Sequence, residues 1–152
     1  MRAFWITTAA LFAIDQISKW AVVFALDLQT RIFIPVWPPF LTFQMGWNRG
    51  VNFGLFAHDS DIMRWVLILL SIAISAWVIR WMRGQNCLPV YISAGALVGG
   101  AMGNVIDRIL YGAVADFLNM SCCGIDNPYV FNVADIAIFA GAAGMVWYSK
   151  PA

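Results

Sequence analysis

GGAMGNVIDRILYGAVADFLNMSCCGIDNPYVFNVADIAIFAG, residues 99–141, is the stretch on which the reading of this chain turns. It carries four aspartates, Asp107, Asp116, Asp126 and Asp135, and three of them sit in or beside strongly apolar sequence. An ionised carboxylate is costly in such surroundings, so an acid kept there points to function. Gly95, Gly99 and Gly103 recur every fourth residue on the approach to it, a spacing that lets another backbone come close. Gly112 permits a turn after the apolar run.

The surrounding composition makes the solvent lipid. Of 152 residues, 62% are hydrophobic and 11% charged, against about half and a quarter in a soluble domain. Four apolar spans are expected, at about 3–26, 61–82, 89–108 and 129–148, in one membrane-embedded domain over 1–152. The first is read as a permanent span, because Asp15, Gln16, Ser18 and Lys19 interrupt it and no clean cleavage site follows. Arg64 and Arg80 can snorkel from the ends of the second. Four spans put both termini on one side. Arg2, Arg80, Arg83 and Lys150 share that side without acids, which assigns it to the cytoplasm.

The loop at about 27–60 is too long and too aromatic to be a mere connection. Pro35, Pro38 and Pro39 forbid a continuous helix, and Phe40 to Met45 suggests short strands. Phe33, Trp37, Phe40, Phe43, Trp47, Phe53 and Phe56 suit a platform on lipid headgroups. Within it, NRGVNFG from Asn48 to Gly54 marks tight turns.

The eight acids are all aspartate, and the one histidine, His58, lies in a polar stretch. That leaves little material for a transition-metal site. A net charge of +1 gives no indication of a nucleic-acid partner. Cys122 and Cys123 are neighbours, with Cα atoms closer than a relaxed bridge prefers, and are expected as free thiols. No HExxH, GxSxG or phosphate-binding glycine loop is present.

What remains is carboxylate chemistry. Asn104, Asp107 and Arg108 fall at i, i+3 and i+4, on one face at the end of the third span. Asn132 and Asp135 are one turn apart at the start of the fourth. Asp116 stands in a loop that can fold back between them. Two nearby carboxylates cannot both ionise cheaply, so one holds a proton near neutral pH. The anion takes a proton from water while the acid polarises a carbonyl, which is amide hydrolysis without a covalent intermediate. Arg108 and Asn132 can hold the carboxylates or the substrate backbone. Asp15 and Lys19, at i, i+4, pair either as a structural ion pair or in support of the site. A proton-coupled carrier relaying through Asp15, Lys19, Asp107 and Asp135 is the main alternative. A non-catalytic lipid-binding scaffold is a third.

Over nearly its whole length the chain resembles bacterial lipoprotein signal peptidase, or signal peptidase II. The resemblance rests on Asp15-x-x-x-Lys19, Asn48-x-Gly50 with Phe53-Gly54, GN-x-x-DR at Gly103 to Arg108, V-x-DF at Val114 to Phe117, and FNVAD at Phe131 to Asp135. It implies an all-α membrane protein with four transmembrane helices, an extracytoplasmic β-cradle and a short amphipathic helix from the first loop. It implies an aspartic endopeptidase that cleaves just before a diacylglyceryl-modified cysteine, with Asp116 and Asp135 catalytic. Asp15, Asn48, Gly50, Asn104, Arg108 and Asn132 match supporting or substrate-binding positions. Asp107 shares the motif without an implied side-chain role. No metal and no cofactor are implied. The expected partners are diacylated prolipoproteins and membrane lipid, the expected state a monomer, and the location the bacterial inner membrane with the site toward its outer face. Asn52 departs from the small residue the resemblance implies, and Asn119 to Tyr129 matches no family pattern.

Overall fold

The computed structural model describes residues 1–50, 60–124 and 127–149. Asn52, Phe53, Gly54, Phe56, His58, Asp126 and Lys150, all used in the sequence reading, lie outside the described residues. The elements run α1 (Arg2–Lys19, continued as a π-helical segment Trp20–Ala25), α2 (Leu28–Arg31), β1 (Phe33–Trp37), β2 (Leu41–Asn48), α3 (Ser60–Met82), α4 (Leu88–Tyr111), β3 (Val114–Met120) and α5 (Val133–Tyr148).

Among the described residues three helical segments are long and apolar enough to cross a membrane: Arg2–Ala25, Asp61–Met82 and Leu88–Tyr111. The fourth expected span is shorter than the sequence indicated. Its helix has 16 residues, about 24 Å at 1.5 Å per residue. It starts at Val133 rather than near Tyr129 because Phe131 is bridged to Leu118 of β3. Asn132 then caps the helix: its side chain accepts from the Asp135 N–H, and Asp135 accepts from the Asn132 N–H.

Helix α4 is the hub, packing on α5, α1 and α3. Its face toward α1 is bare. A Cβ at Gly95 or Gly99 would lie 2.6 or 2.7 Å from the carbonyl oxygens of Phe4 and Thr8. Without a hydrophobic force between helices in lipid, such close backbone contact supplies the packing. The outer faces remain apolar and exposed, as at Ile6, Leu69, Phe139 and Val146. Gly112 ends α4 with φ +76° and donates its N–H to the Arg108 carbonyl, a left-handed stop natural to glycine.

The strands form one antiparallel sheet in the order β1-β2-β3. Strand β2 covers the segment whose alternation suggested strands. Strand β3 corrects the sequence reading, which left Asp116 in a loop. It pairs with β2 from Leu41↔Met120 to Asn48↔Val114, with an irregularity between Phe43 and Gly46. Val22, Val23 and Leu28 pack with Ala115 and Phe117, anchoring the sheet to the end of α1. The loop aromatics Phe33, Trp37, Phe40 and Trp47 are exposed. The helix α2 is a single turn with only Leu28 buried. Cys122 and Cys123 form a disulfide, against the expectation of free thiols, while Cys87 is free.

Candidate active site

Three helices and two strands bring polar side chains together at one site, most of them buried. Helix α1 contributes Asp15, Gln16 and Lys19. The end of α4 contributes Asn104, Asp107 and Arg108. The sheet contributes Asn48 and Asp116, and the start of α5 contributes Asn132 and Asp135. Asp15, Lys19, Asn104, Asp107, Asp116 and Asn132 are all buried, and Asp135 is half-buried.

Asn132 connects the two acids singled out in the sequence. Its Nδ2 donates to Asp116 Oδ1 at 2.6 Å, and its main-chain N–H donates to Asp135 Oδ2 at 3.2 Å. Both second oxygens also have donors: Asn48 Nδ2 reaches Asp116 Oδ2 at 3.1 Å, and Asn104 Nδ2 reaches Asp135 Oδ1 at 2.9 Å. Asn104 Oδ1 accepts from Asn132 Nδ2 at 3.2 Å, so the three asparagines orient one another around the carboxyls. Gly50, at φ +114°, donates its N–H to Asn48 Oδ1 at 3.0 Å. That bond turns the Asn48 amide so that its N–H₂ faces Asp116.

Below this pair lies a buried ion cluster. Lys19 Nζ lies 2.8 Å from Asp15 Oδ2, 2.7 Å from Asp107 Oδ2 and 3.1 Å from Asn104 Oδ1. Gln16 Nε2 donates to Asp15 Oδ2 and Asp107 Oδ1, each at 3.1 Å. Gly103 is needed here, because a Cβ would collide with the Asp15 carboxylate.

Of the two roles expected for Arg108, the contact with the carboxylates is not made here. Arg108 ion-pairs with neither acid among the described residues. Its Nη1 donates to the Asn104 carbonyl at 3.4 Å, and its Nε is buried without a partner. The Asp15–Lys19 pair expected from the sequence is present, but the contacts of Gln16, and those of Lys19 with Asp107 and Asn104, were not anticipated. One signal was available: both acids end the same tripeptide, Val114-Ala115-Asp116 and Val133-Ala134-Asp135.

Burial raises the Asp116 carboxyl from the ordinary 3.8 to about 7, with the Asp135 charge adding to the rise. The hydrogen bonds from Asn48 and Asn132 and the charge of Lys19 oppose it. One acid that keeps its proton near neutral pH, beside a second carboxylate, supplies a general acid and a general base together. Three or more His, Cys, Asp or Glu side chains do not come together in a metal-binding group among the described residues.

A family model described as Signal peptidase (SPase) II matches residues 7–150. A lipoprotein signal peptidase of Methylorubrum extorquens (strain PA1) is 41% identical over 143 residues, 93% of this chain and 81% of the relative. Another, from Methylobacterium radiotolerans, is 42% identical over 135 residues, 88% of this chain and 77% of the relative. A solved bacterial membrane enzyme, determined by the in meso method at 1.9 Å, matches with TM-score 0.82 at 23% identity, covering 97% of this chain and 92% of its own. A second, at 2.3 Å, matches with TM-score 0.77 at 22% identity, covering 97% and 87%. These structures establish likeness of fold.

Proposed function

This chain belongs to the signal peptidase II family, and from that premise we propose that Asp116 and Asp135 are its catalytic pair. The protein is an aspartic endopeptidase that removes signal peptides from prolipoproteins. The carrier alternative finds no support among these relatives. The observation that carries the site assignment is Asn132, which hydrogen-bonds to both carboxyls.

The reaction follows from the electrostatics. Burial favours the neutral form of Asp116, so Asp116 holds the proton and donates it to the scissile carbonyl. Asp135, less buried and capping α5, takes a proton from the attacking water. The new C–O bond gives a neutral diol. Its collapse breaks the C–N bond, and the proton now on Asp135 goes to the leaving amine. Asp116 recovers its proton from the diol hydroxyl, so the pair ends as it began.

Helix α5 is a fourth span, short at 16 residues and led into by the bridged Phe131 and the extended Asn132. Both termini then face the cytoplasm, and the sheet with Asp116 and the start of α5 lies at the outer face of the inner membrane. A cysteine carrying diacylglycerol anchors its acyl chains in lipid and leaves the preceding peptide bond at the same boundary. The exposed aromatic residues of the sheet rest on the headgroups there. The chain acts as a monomeric, single membrane-embedded domain.

Asp116→Asn and Asp135→Asn are each expected to give an inserted, folded protein that leaves a lipidated precursor uncleaved. Substantial processing by either variant refutes the pair.

A further inference from the structure

The Lys19 ammonium has three N–H groups and three oxygen partners, and each partner leads toward a different part of the site. Asp15 Oδ2 and Asp107 Oδ2 flank it at 2.8 and 2.7 Å, and Asn104 Oδ1 lies at 3.1 Å. Asp15 passes on to α5: its Oδ1 accepts the main-chain N–H of Ala134 at 2.9 Å. Asp107 passes on to β3: its Oδ2 accepts the main-chain N–H of Ala115 at 3.2 Å. Asn104 passes directly to Asp135 Oδ1 at 2.9 Å. Ala134 and Ala115 are the residues immediately before Asp135 and Asp116. The backbone just ahead of each acid is therefore held by an aspartate, and the two aspartates share one lysine.

An ordinary buried ion pair needs one partner for its cation and explains none of this. A cation with two anions would also leave a net negative charge buried, which is costly unless hydrogen bonds offset it. Gln16 Nε2, bonded to both aspartates, and the two main-chain N–H groups supply that compensation. The two main-chain donors, Ala134 N–H on α5 and Ala115 N–H on β3, are the ones that fix those elements.

We propose that Lys19 is a positioning residue that sets the separation of Asp116 and Asp135, acting on β3 through Asp107 and on α5 through Asp15. The proposal rests on the assignment of those two acids as the catalytic pair. It goes beyond that assignment by giving the spacing a cause on a third element, α1. Among the described residues the charged groups gathered at the pair are Asp15 and Lys19 from α1, Asp107 and Arg108 from α4, and the acids themselves on β3 and α5.

The test uses the full chain in lipid nanodiscs, with a diacylated prolipoprotein peptide as substrate. Lys19→Met is expected to lower kcat about 100-fold, as a misplacement near 1 Å does, with KM held within about twofold because substrate binding is untouched. The basic limb of its pH–rate profile is expected to move upward, since the Lys19 charge opposes the raised pKa of Asp116. A merely structural role would reduce the amount of active protein and leave kcat per folded molecule unchanged. Asp107→Asn keeps an oxygen for Ala115 N–H but drops the charge facing Lys19, and serves if Lys19→Met does not insert. It is expected to lose at least about tenfold in kcat, again with KM retained. Wild-type kcat and pH profile in the folded variants, or a loss that only tracks the folded fraction, overturns the proposal. Asp116→Asn and Asp135→Asn run alongside. If those remain active, the catalytic pair itself is wrong and the proposal falls with it. If they are inactive while the Lys19 and Asp107 variants behave as wild type, only the positioning role fails.

Discussion

Replacing Asp116 by Asn should flatten the dependence of stability on pH between 4 and 8. Asp116 is 3% exposed, and burial with the Asp135 charge raises its carboxyl from 3.8 to about 7. At 1.36 kcal/mol per unit, that rise corresponds to about 4 kcal/mol as an upper value. The sign follows from proton binding. Between about pH 4 and 7 the folded chain keeps a proton that the unfolded chain has lost, so stability falls as pH rises. The contribution of Asp116 is complete below about pH 4 and gone once pH passes through about 7. For a chain of this size 4 kcal/mol amounts to roughly 10 °C in midpoint. The assay is thermal unfolding in detergent micelles across that range, wild type against Asp116→Asn. The difference between the two curves isolates this one group, since the other titrating residues are common to both. Asp135→Asn provides a second comparison. Burial is the larger cause, so removing the neighbouring charge should shrink the slope without abolishing it. Parallel curves for wild type and Asp116→Asn would refute the reasoning, because they would mean that Asp116 titrates alike folded and unfolded.

Other outcomes follow from single contacts. Asn132→Ala removes the cap of α5 and the amide on Asp116, and should cost about 1–2 kcal/mol in unfolding free energy along with most cleavage activity. Asn48→Ala removes a hydrogen bond that holds down the Asp116 pKa, so the basic limb of the pH–rate profile should move upward while the fold is retained. Gly103→Ala drives a methyl into the Asp15 carboxylate and should destabilise the chain by about 1–3 kcal/mol in the same unfolding assay. A neutral result there would show that α1 and α4 can separate without cost.

Much of the site was legible because its residue types are expensive where they stand. Asp15, Asn104, Asp107 and Asn132 stand in or beside apolar sequence, and each is found in the buried polar layer. The glycine spacing of α4 was legible for the same kind of reason, since a bare helix face is wasted unless another backbone covers it. The strand bearing Asp116 was not legible. Val114 to Met120 becomes a strand because β2, more than 60 residues earlier in the chain, lies beside it. The start of α5 was misplaced for a related reason: the Phe131 bridge to Leu118 pulls Tyr129 to Phe131 out of the helix. Spacing left Arg108 open between the carboxylates and the substrate backbone, because helical spacing fixes a face and not where a long side chain ends; its guanidinium reaches the Asn104 carbonyl instead of either acid. The adjacency of Cys122 and Cys123 argued against a bridge on relaxed geometry, yet the two sulfurs are joined.

Composition and spacing alone pointed to a protein built for lipid and to carboxylate chemistry centred on Asp116 and Asp135, while Asn48 entered only through the family resemblance. Tertiary structure decided how they meet: that Asn132 serves both acids, that Asp116 rides on a strand, and that Lys19 faces two carboxylates rather than one. The physical reason is range. The cost of burying a charge is paid residue by residue and shows in the text of the chain, whereas hydrogen-bond partners 16 to 119 residues apart exist only once the helices and the sheet have closed around them.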